Sequence, residues 1–297
     1  MQKFIRKNLP GYIFLTPWLV GFFLLAIGPI LASLYLSFTK YNVINPPSWI
    51  GLDNYFYMFE FDARFRKALA VTFTFVAIAV PAKLIFALAV AMALDKGVRA
   101  IGLYRALFYL PSILGGSIAV AILWRQLFNY DGVVNSVLRL FGGDGPYWLA
   151  DPNYSLWTLI VLAVWQFGSP MLIFLAGLRA IPQELYEAAE IDAAGKVRRF
   201  FAITLPLLAP VIFFNLVLQM IEAFKSFTGA FIISGGAGAP LDSLLFFTVY
   251  LFNEAFSYLR MGYASALAWV LLLIIAAFTG IAFWTSKYWV HYENERG

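Results

Sequence analysis

Residues 262–286 read Gly-Tyr-Ala-Ser-Ala-Leu-Ala-Trp-Val-Leu-Leu-Leu-Ile-Ile-Ala-Ala-Phe-Thr-Gly-Ile-Ala-Phe-Trp-Thr-Ser and contain no charged side chain. A helix rises about 1.5 Å per residue, so this stretch exceeds the hydrocarbon core of a bilayer, which is about 30 Å thick. Its apolar residues are continuous rather than alternating, which excludes a barrel strand, and only a helix satisfies the backbone polar groups of such a segment in lipid. The stretch predicts a transmembrane helix.

Five other stretches share this character. The six predicted spans lie near 11–38, 69–94, 106–127, 155–178, 206–233 and 262–286. Charged residues make up 12% of the 297 residues, against about 25% in soluble domains, and 62% are hydrophobic, so a single water-soluble core is excluded. We predict an all-α, polytopic membrane protein with six transmembrane helices. Since no Ser/Gly/Pro linker or low-complexity tract divides the chain, we expect one transmembrane domain over residues 1–297.

The first span follows three basic residues, as a secretory signal peptide would. Lys3, Arg6 and Lys7 precede it, but the sequence then runs without charge from Asn8 to Thr39. The apolar region of a cleaved signal covers only about 7–15 residues. We therefore expect an uncleaved first span.

The basic residues predict the orientation. With six spans both termini lie on one side of the membrane, and that side carries twelve Lys and Arg residues against seven on the other. The twelve are Lys3, Arg6, Lys7, Lys96, Arg99, Arg105, Arg179, Lys196, Arg198, Arg199, Lys287 and Arg296. The positive-inside rule then places both termini in the cytoplasm. The net charge of +5 is accounted for by loop placement and anionic lipid, so we expect no nucleic-acid partner.

The sequence lacks residues that metal binding and phosphate binding commonly require. The chain has no cysteine, and its one histidine, His291, follows the last span, so we expect no metal site. Gly195 and Lys196 form the only Gly-Lys pair, and Val197 follows where a phosphate-binding loop requires Ser or Thr. We expect no catalytic residues and no cofactor of the chain's own.

Residues 181–206 form a charged, helix-forming segment between two apolar spans. Pro182 suits the first turn of a helix, and Leu185, Ala188 and Ala189 recur at helical spacing. One interpretation is an interfacial amphipathic helix in a cytoplasmic loop. The other is a docking helix, because alanines permit close approach and the neighbouring glutamates can pair with a partner's arginines.

A pattern within this segment resembles the EAA signature of the membrane subunits of binding-protein-dependent ABC importers. Its residues are Glu187, Ala188, Ala189, Asp192, Phe200, Ile203, Leu205 and Pro206. The whole chain resembles the carbohydrate-uptake permeases of that family, related to the larger maltose-permease subunit and the glycerol-phosphate permease. Other matching segments follow in order: Thr16-Pro17-Trp18, Pro29-Ile30, Leu36-Ser37-Phe38-Thr39, Gly51-Leu52-Asp53-Asn54-Tyr55, Trp124-Arg125, Ala176-Gly177-Leu178 and Gly262-Tyr263-Ala264-Ser265-Ala266-Leu267.

Two positions depart from the family pattern. Ala193 stands where the family usually has glycine after the aspartate, and Gly195 follows two residues later. Alanine suits such a turn unless the backbone requires positive φ. The external Gly-Gly-Pro of the family is here the looser sequence 235–240.

The resemblance implies a type I ABC importer permease fold and the function of a permease subunit in an ATP-dependent sugar importer. It places a cytoplasmic coupling loop at 179–205, where Glu187, Ala188, Ala189, Asp192 and Gly195 contact an ATPase. The implied partners are a second homologous permease, two ATPase subunits that bind ATP and Mg, an extracytoplasmic solute-binding protein and a sugar, with a di- or oligosaccharide preferred. The implied location is the cytoplasmic (inner) membrane.

Two other functions also fit parts of the sequence. A glycerol-phosphate importer permease also fits the family. A secondary transporter or channel could share six spans and intramembrane polar residues, although it would not need Glu187-Ala188-Ala189 with Pro206 at this spacing.

Polar residues inside the predicted spans are candidates for the substrate path, because lipid disfavours them. They are Trp165, Gln166 and Ser169 in the fourth span and Gln219, Glu222 and Lys225 in the fifth. Trp165 and Ser169 are four residues apart, so a continuous helix would place them on one face. Aromatic faces, amides and carboxylates are the groups that bind a sugar.

Three of these polar residues, and also Lys83, could have a structural role instead of contacting the substrate. Glu222 and Lys225 could pair with each other at i, i+3, and Gln219 could bond to a neighbouring helix. Lys83, in the second span, could stabilise packing by pairing with Glu222 or could line the path; packing is the favoured interpretation.

Overall fold

The computed structural model describes residues 14–97 and 100–290. The first three residues of the first predicted span therefore lie outside the described residues. Seven residues used in the sequence analysis also lie outside them: Lys3, Arg6, Lys7, Asn8, Arg99, His291 and Arg296.

The described residues are mainly helical. The helices are α1 (Phe14–Ser37), α2 (Asp53–Glu60), α3 (Ala63–Asp95), α4 (Ile101–Leu114), α5 (Ile118–Leu127), α6 (Val133–Leu140), α7 (Pro152–Trp165), α8 (Gly168–Ala180), α9 (Gln183–Ile191), α10 (Lys196–Arg199), α11 (Leu205–Phe224), α12 (Thr228–Ile233), α13 (Phe247–Phe252) and α14 (Met261–Ser286). Three π-helical turns occur: Phe23–Ile27 inside α1, Phe200–Thr204 between α10 and α11, and Asn253–Ser257 after α13. Strands β1 (Thr39–Lys40) and β2 (Ser48–Trp49) pair antiparallel, with Thr39 opposite Trp49.

Within residues 14–97 and 100–290, four helical segments are each long and apolar enough to cross a membrane. They are Phe14–Ser37, Ala63–Asp95, Lys196–Ile233 and Met261–Ser286. The pairs α4 with α5 and α7 with α8 meet the same criteria as bent spans, which gives up to six. The predicted all-helical membrane fold is confirmed, and the predicted six spans are reached when each bent pair counts as one.

The third predicted span, 106–127, is not one straight helix. Helices α4 and α5 meet at an angle of 98°. Gly115 and Gly116 lie at the break, and Ser117 caps α5 by accepting a hydrogen bond from the Val120 amide at 3.3 Å. Two glycines weaken the helix and a serine supplies the new N-terminal cap, so the chain turns here although the sequence remains apolar.

The fourth predicted span also breaks. Helix α7 ends at Trp165, α8 begins at Gly168, and the two are bent by 43°. A Cβ at Gly168 would overlap backbone atoms of Phe108 and Tyr109, so α8 starts where it packs directly on α4. The prediction that Trp165 and Ser169 share one face of a continuous helix is therefore wrong.

The chain divides into two compact units, Met1–Asp62 with Leu251–Leu272, and Ala63–Tyr250 with Leu273–Gly297. In the first unit, the Asn54 side chain donates to the carbonyls of Ser37 and Thr39 at 2.8 and 3.0 Å. The Gly262 amide donates to the Tyr41 carbonyl at 3.0 Å, and a Cβ at Gly262 would overlap this backbone. The sequence segments around Asn54 and Gly262 thus anchor the end of α1.

Two buried carboxylates also belong to the first unit. Asp62 accepts a hydrogen bond from the Tyr263 hydroxyl, and Glu254 pairs with Arg260 at 2.9 Å. The Arg260 guanidinium lies 5.8 Å from the Tyr263 ring centroid. Buried charges require such partners, and the cluster gives each carboxylate one.

The second unit is built around α3, which packs against α7, α8 and α11. Its core contains large buried side chains such as Phe174 and Met171 of α8 and Leu208 of α11. Alanines of α3, among them Ala87 and Ala91, are fully buried and allow the helices to approach closely. A polar cavity lies within this unit.

Candidate functional site

A cavity of about 370 Å³ opens in the second unit. Its lining comes from α3, the end of α4, the bent pair α7 and α8, and the end of α11 with the start of α12. The polar lining residues are Lys83, Ser112, Gln166, Ser169, Gln219, Glu222, Lys225, Ser226 and Thr228. Five of the six predicted path residues thus line one cavity, and Trp165 does not.

The helix breaks assemble one wall of this cavity. The Ser112 hydroxyl donates to the Gln166 carbonyl at 2.9 Å and accepts from the Ser169 amide at 3.0 Å. The Gln166 side chain donates to the Gly115 carbonyl at 3.3 Å, and a Cβ at Gly115 would overlap that side chain. Backbone groups left free at the α7–α8 break are satisfied by Ser112, which holds Gln166 and Ser169 at the cavity.

The end of α11 lines another part of the cavity. The Glu222 carboxylate lies 3.4 Å from the Lys225 ammonium, with both side chains largely exposed. This is the i, i+3 pair that the sequence offered as a structural alternative to substrate binding. Gln219 is half-buried and lines the cavity, and its side chain makes no hydrogen bond within residues 14–97 and 100–290. The amide is therefore available to a ligand.

Trp165 belongs to an aromatic contact instead. Its ring lies 5.9 Å from that of Trp124, whose indole N–H donates to the Thr158 carbonyl at 2.9 Å. Aromatic lining of the cavity comes from Phe75 and Phe227. The helix break at residues 166–167 turns Trp165 away, which the period of a continuous helix did not predict.

Sequence reasoning missed some lining residues. Ser112 and Thr228 line the cavity, and a Ser or Thr in an apolar helix gives no distinctive signal because it often bonds to its own backbone. Lys83 did give a signal as a charge inside a span, yet packing was the favoured interpretation. The structure places Lys83 on the cavity wall.

The second candidate site is the loop that contains α9. Glu187 and Ala188 are exposed, and Ala189 is half-buried. The Tyr186 hydroxyl bonds to the Thr204 hydroxyl at 2.8 Å, which fastens α9 to the helix that continues into α11. Movement of α9 would therefore be transmitted to a membrane span.

The turn after α9 is a Schellman motif. The Ala194 amide donates to the Ala189 carbonyl at 2.9 Å, and the Ala193 amide donates to the Glu190 carbonyl at 3.0 Å. Ala193, at the position after the C-cap Asp192, has φ of +55°. The turn thus has the positive φ that glycine adopts without strain, although the residue here is alanine.

We expect Ala193→Gly to tighten this turn. The left-handed conformation costs a non-glycine residue about 1–2 kcal/mol, which glycine would avoid. Glycine also loses more conformational entropy when the loop becomes ordered, and this loss offsets part of the gain. Amide hydrogen exchange at 193 and 194 should slow about two- to fivefold, which corresponds to about 0.5–1 kcal/mol. Ala194→Gly is the matched control, because Ala194 has ordinary φ and should exchange faster. Faster exchange in Ala193→Gly would contradict the assignment.

The loop also exposes apolar side chains. Ile191, Val197 and Phe201 are 87%, 72% and 61% exposed. Beside them, Ala189, Asp192 and Arg198 help to line a shallow depression of about 160 Å³. Gly195 is exposed and is the N-cap of α10. An apolar surface with a small-residue helix next to charged groups suits contact with a protein partner.

The chain is similar to known proteins over nearly its whole length. The family described as "Binding-protein-dependent transport system inner membrane component" matches residues 61–288. The probable ABC transporter permease protein YesP of Bacillus subtilis (strain 168) is 54% identical over 296 residues, covering 99% of this chain and 96% of YesP. The sulfoquinovosyl glycerol transport system permease protein SmoG of Agrobacterium fabrum is 33% identical, covering 93% of this chain and 90% of SmoG.

A solved structure shares the fold. A chain of a bacterial alginate ABC transporter, crystallised in complex with an alginate pentasaccharide-bound periplasmic protein, superposes with a TM-score of 0.81 at 21% identity. The superposition covers 97% of each chain. The predicted fold class, that of an ABC importer permease, is confirmed.

Proposed function

The chain belongs to the family of binding-protein-dependent transport system inner membrane components, and from this premise we propose that it forms half of the translocation path of an ATP-dependent sugar importer. The resemblance to ABC importer permeases is confirmed, so the chain is a multi-pass inner-membrane permease. We propose, in addition, the sugar, the position of its binding site and the partners.

The cavity is the observation that carries the proposal of a sugar. Amides of Gln166 and Gln219 and the hydroxyl of Thr228 can exchange hydrogen bonds with sugar hydroxyls. The rings of Phe75 and Phe227 offer faces for sugar C–H groups. The volume lies within the range of about 300–1,000 Å³ for small-molecule sites. Relatives named for lactose and for trehalose/maltose transport also support a di- or oligosaccharide.

The exposed α9 segment supports the proposed coupling to a separate ATPase. Glu187, Ala188, Ala189, Asp192 and Gly195 would dock on one ATPase subunit, and a second, homologous permease would dock on the other. ATP and Mg would be bound by those subunits. Closure of the ATPase pair would shift the permeases between inward-facing and outward-facing states, because the closed pair binds these two states with different affinity.

The remaining proposals concern placement. Both termini and the loop 179–205 would be cytoplasmic, as the distribution of basic residues favours. The outer loops would receive an extracytoplasmic solute-binding protein. A glycerol-phosphate ligand is less well supported, because no arginine among the described residues lines the cavity and arginine binds phosphate bidentately.

The test is reconstitution of the chain in proteoliposomes with its second permease, the ATPase and the binding protein. We expect uptake of a labelled oligosaccharide that requires internal ATP, and omission of the ATPase should abolish it. Uptake that continues without the ATPase but follows an ion gradient would favour a secondary transporter and contradict the proposal.

A further inference from the structure

The cavity carries an excess of positive charge. Among the residues that the structure describes, its charged lining consists of two cations, Lys83 and Lys225, and one anion, Glu222. Glu222 pairs with Lys225 at 3.4 Å, and their i, i+3 spacing on one helix makes this pairing local. The remaining positive charge belongs to Lys83.

Lys83 occupies a costly position. It lies within α3, a predicted span, between the apolar residues Ala82 and Leu84. An ammonium group in such a helix requires compensation from a carboxylate, from backbone carbonyls or from water in a cavity. Its Nζ has no ion pair or hydrogen bond among the described residues, although the charge of Glu222 acts on it. Packing alone would leave this ammonium without a hydrogen-bond acceptor.

The surroundings of Lys83 are those of a ligand site. Three hydrogen-bonding side chains, Gln166, Gln219 and Thr228, line the same cavity. A neutral sugar would use these groups and leave the ammonium unpaired, at the cost of burying it beneath the ligand. A sugar with one carboxylate would pair with it and use the amides for its hydroxyls.

We infer that the cavity selects a sugar bearing a single carboxylate, such as a uronic-acid unit of an oligosaccharide, and that Lys83 is the residue that determines this preference. The inference rests on the proposed function and makes it more specific. A phosphorylated sugar fits less well, because a phosphate monoester carries a charge of about −1.5 to −2 and the cavity excess is a single charge. A lysine is a point charge, which suits a carboxylate.

The test measures binding to the purified transporter with its second permease and ATPase subunits but without the binding protein, so that only the permease cavity selects. The probes are disaccharides containing glucuronate, galacturonate or mannuronate, each compared by saturation-transfer NMR with its neutral counterpart. We expect at least one acidic disaccharide to bind about tenfold more tightly than its counterpart, with a preference that shrinks as ionic strength rises.

Two variants of Lys83 separate recognition from packing. Lys83→Met keeps the length of the side chain and removes its charge, so the acidic preference should disappear while neutral sugars bind at least as tightly as to the wild type, because no ammonium is buried beneath them. Lys83→Arg should retain the preference. Lys67→Met is the matched control, because Lys67 is exposed on the same helix outside the cavity lining, and it should change neither affinity.

The outcomes are distinguishable. Equal weakening of acidic and neutral sugars by Lys83→Met would show a packing role and overturn the inference. A wild-type transporter that imports sugars with ATP but binds neutral counterparts as tightly as every acidic probe would overturn the inference and leave the proposed function intact. Absence of sugar binding together with absence of ATP-dependent uptake would overturn both.

Discussion

Glu187→Lys should separate ATP hydrolysis from transport, lowering ATP-driven uptake by about tenfold or more, because losing a desolvated interfacial charge pair costs about 2–5 kcal/mol. Glu187 is exposed on α9, and its carboxylate makes no ion pair within the part of the chain that the structure describes. It is therefore available to a cationic group of the ATPase. Ala188→Asp should have a similar effect, because Ala188 is exposed and a larger, charged side chain would prevent close approach.

The measurements are uptake into proteoliposomes, co-purification of the ATPase, and ATP hydrolysis stimulated by the loaded binding protein. Gln183→Lys is the control, since Gln183 is exposed on the same helix and the change also adds a positive charge outside the Glu-Ala-Ala sequence. It should leave uptake within about twofold. If both Glu187→Lys and Ala188→Asp keep wild-type uptake together with wild-type ATPase association and stimulated hydrolysis, α9 is not the coupling element.

The effect would reach the membrane through contacts in the structure. Tyr186 bonds to Thr204, and the Schellman turn at Ala193 fixes the direction in which the chain leaves α9. One of these contacts precedes the Glu-Ala-Ala sequence and the other follows it. A force applied to Ala188 would therefore act on the start of α11, whose other end carries Gln219 and Glu222 at the cavity.

The apolar runs predicted the spans because hydropathy is a property of sequence alone. They did not predict where a span bends. Gly115 and Gly116 are uncharged and lie in an apolar run, so the 98° bend between α4 and α5 leaves no hydropathy signal. The start of α8 depends on contact with Phe108, which is distant in sequence from Gly168.

The candidate path was predictable to the extent that buried polar residues are costly. Gln166 and Gln219 could be chosen on that ground, and both line the cavity. Trp165 was chosen by helical period, which fails across the break at Gln166. The assignment of Lys83 required knowing that Glu222 pairs with Lys225, a contact between side chains that a sequence offers only as one alternative.

Gly168→Val, next to the cavity-lining residue Ser169, should destabilise the protein. Any Cβ at this position would overlap the Phe108 carbonyl oxygen and the Tyr109 Cα, which are backbone atoms that cannot rotate away. Overpacking of this kind costs about 1–3 kcal/mol or more. The melting temperature of the purified transporter should fall by about 5 °C or more, and less folded protein should be recovered.

Function should fall together with stability, because the same α4–α8 contact places Ser112 between Gln166 and Ser169. Separation of the helices would remove both hydrogen bonds of Ser112 and displace Gln166 from the cavity. Gly102→Ala is the matched control: Gly102 lies in α4, a Cβ there would meet no atom within 4 Å, and alanine is the better helix former. An unchanged melting temperature and unchanged sugar binding in Gly168→Val would mean that the close contact between α4 and α8 does not hold the cavity wall in place.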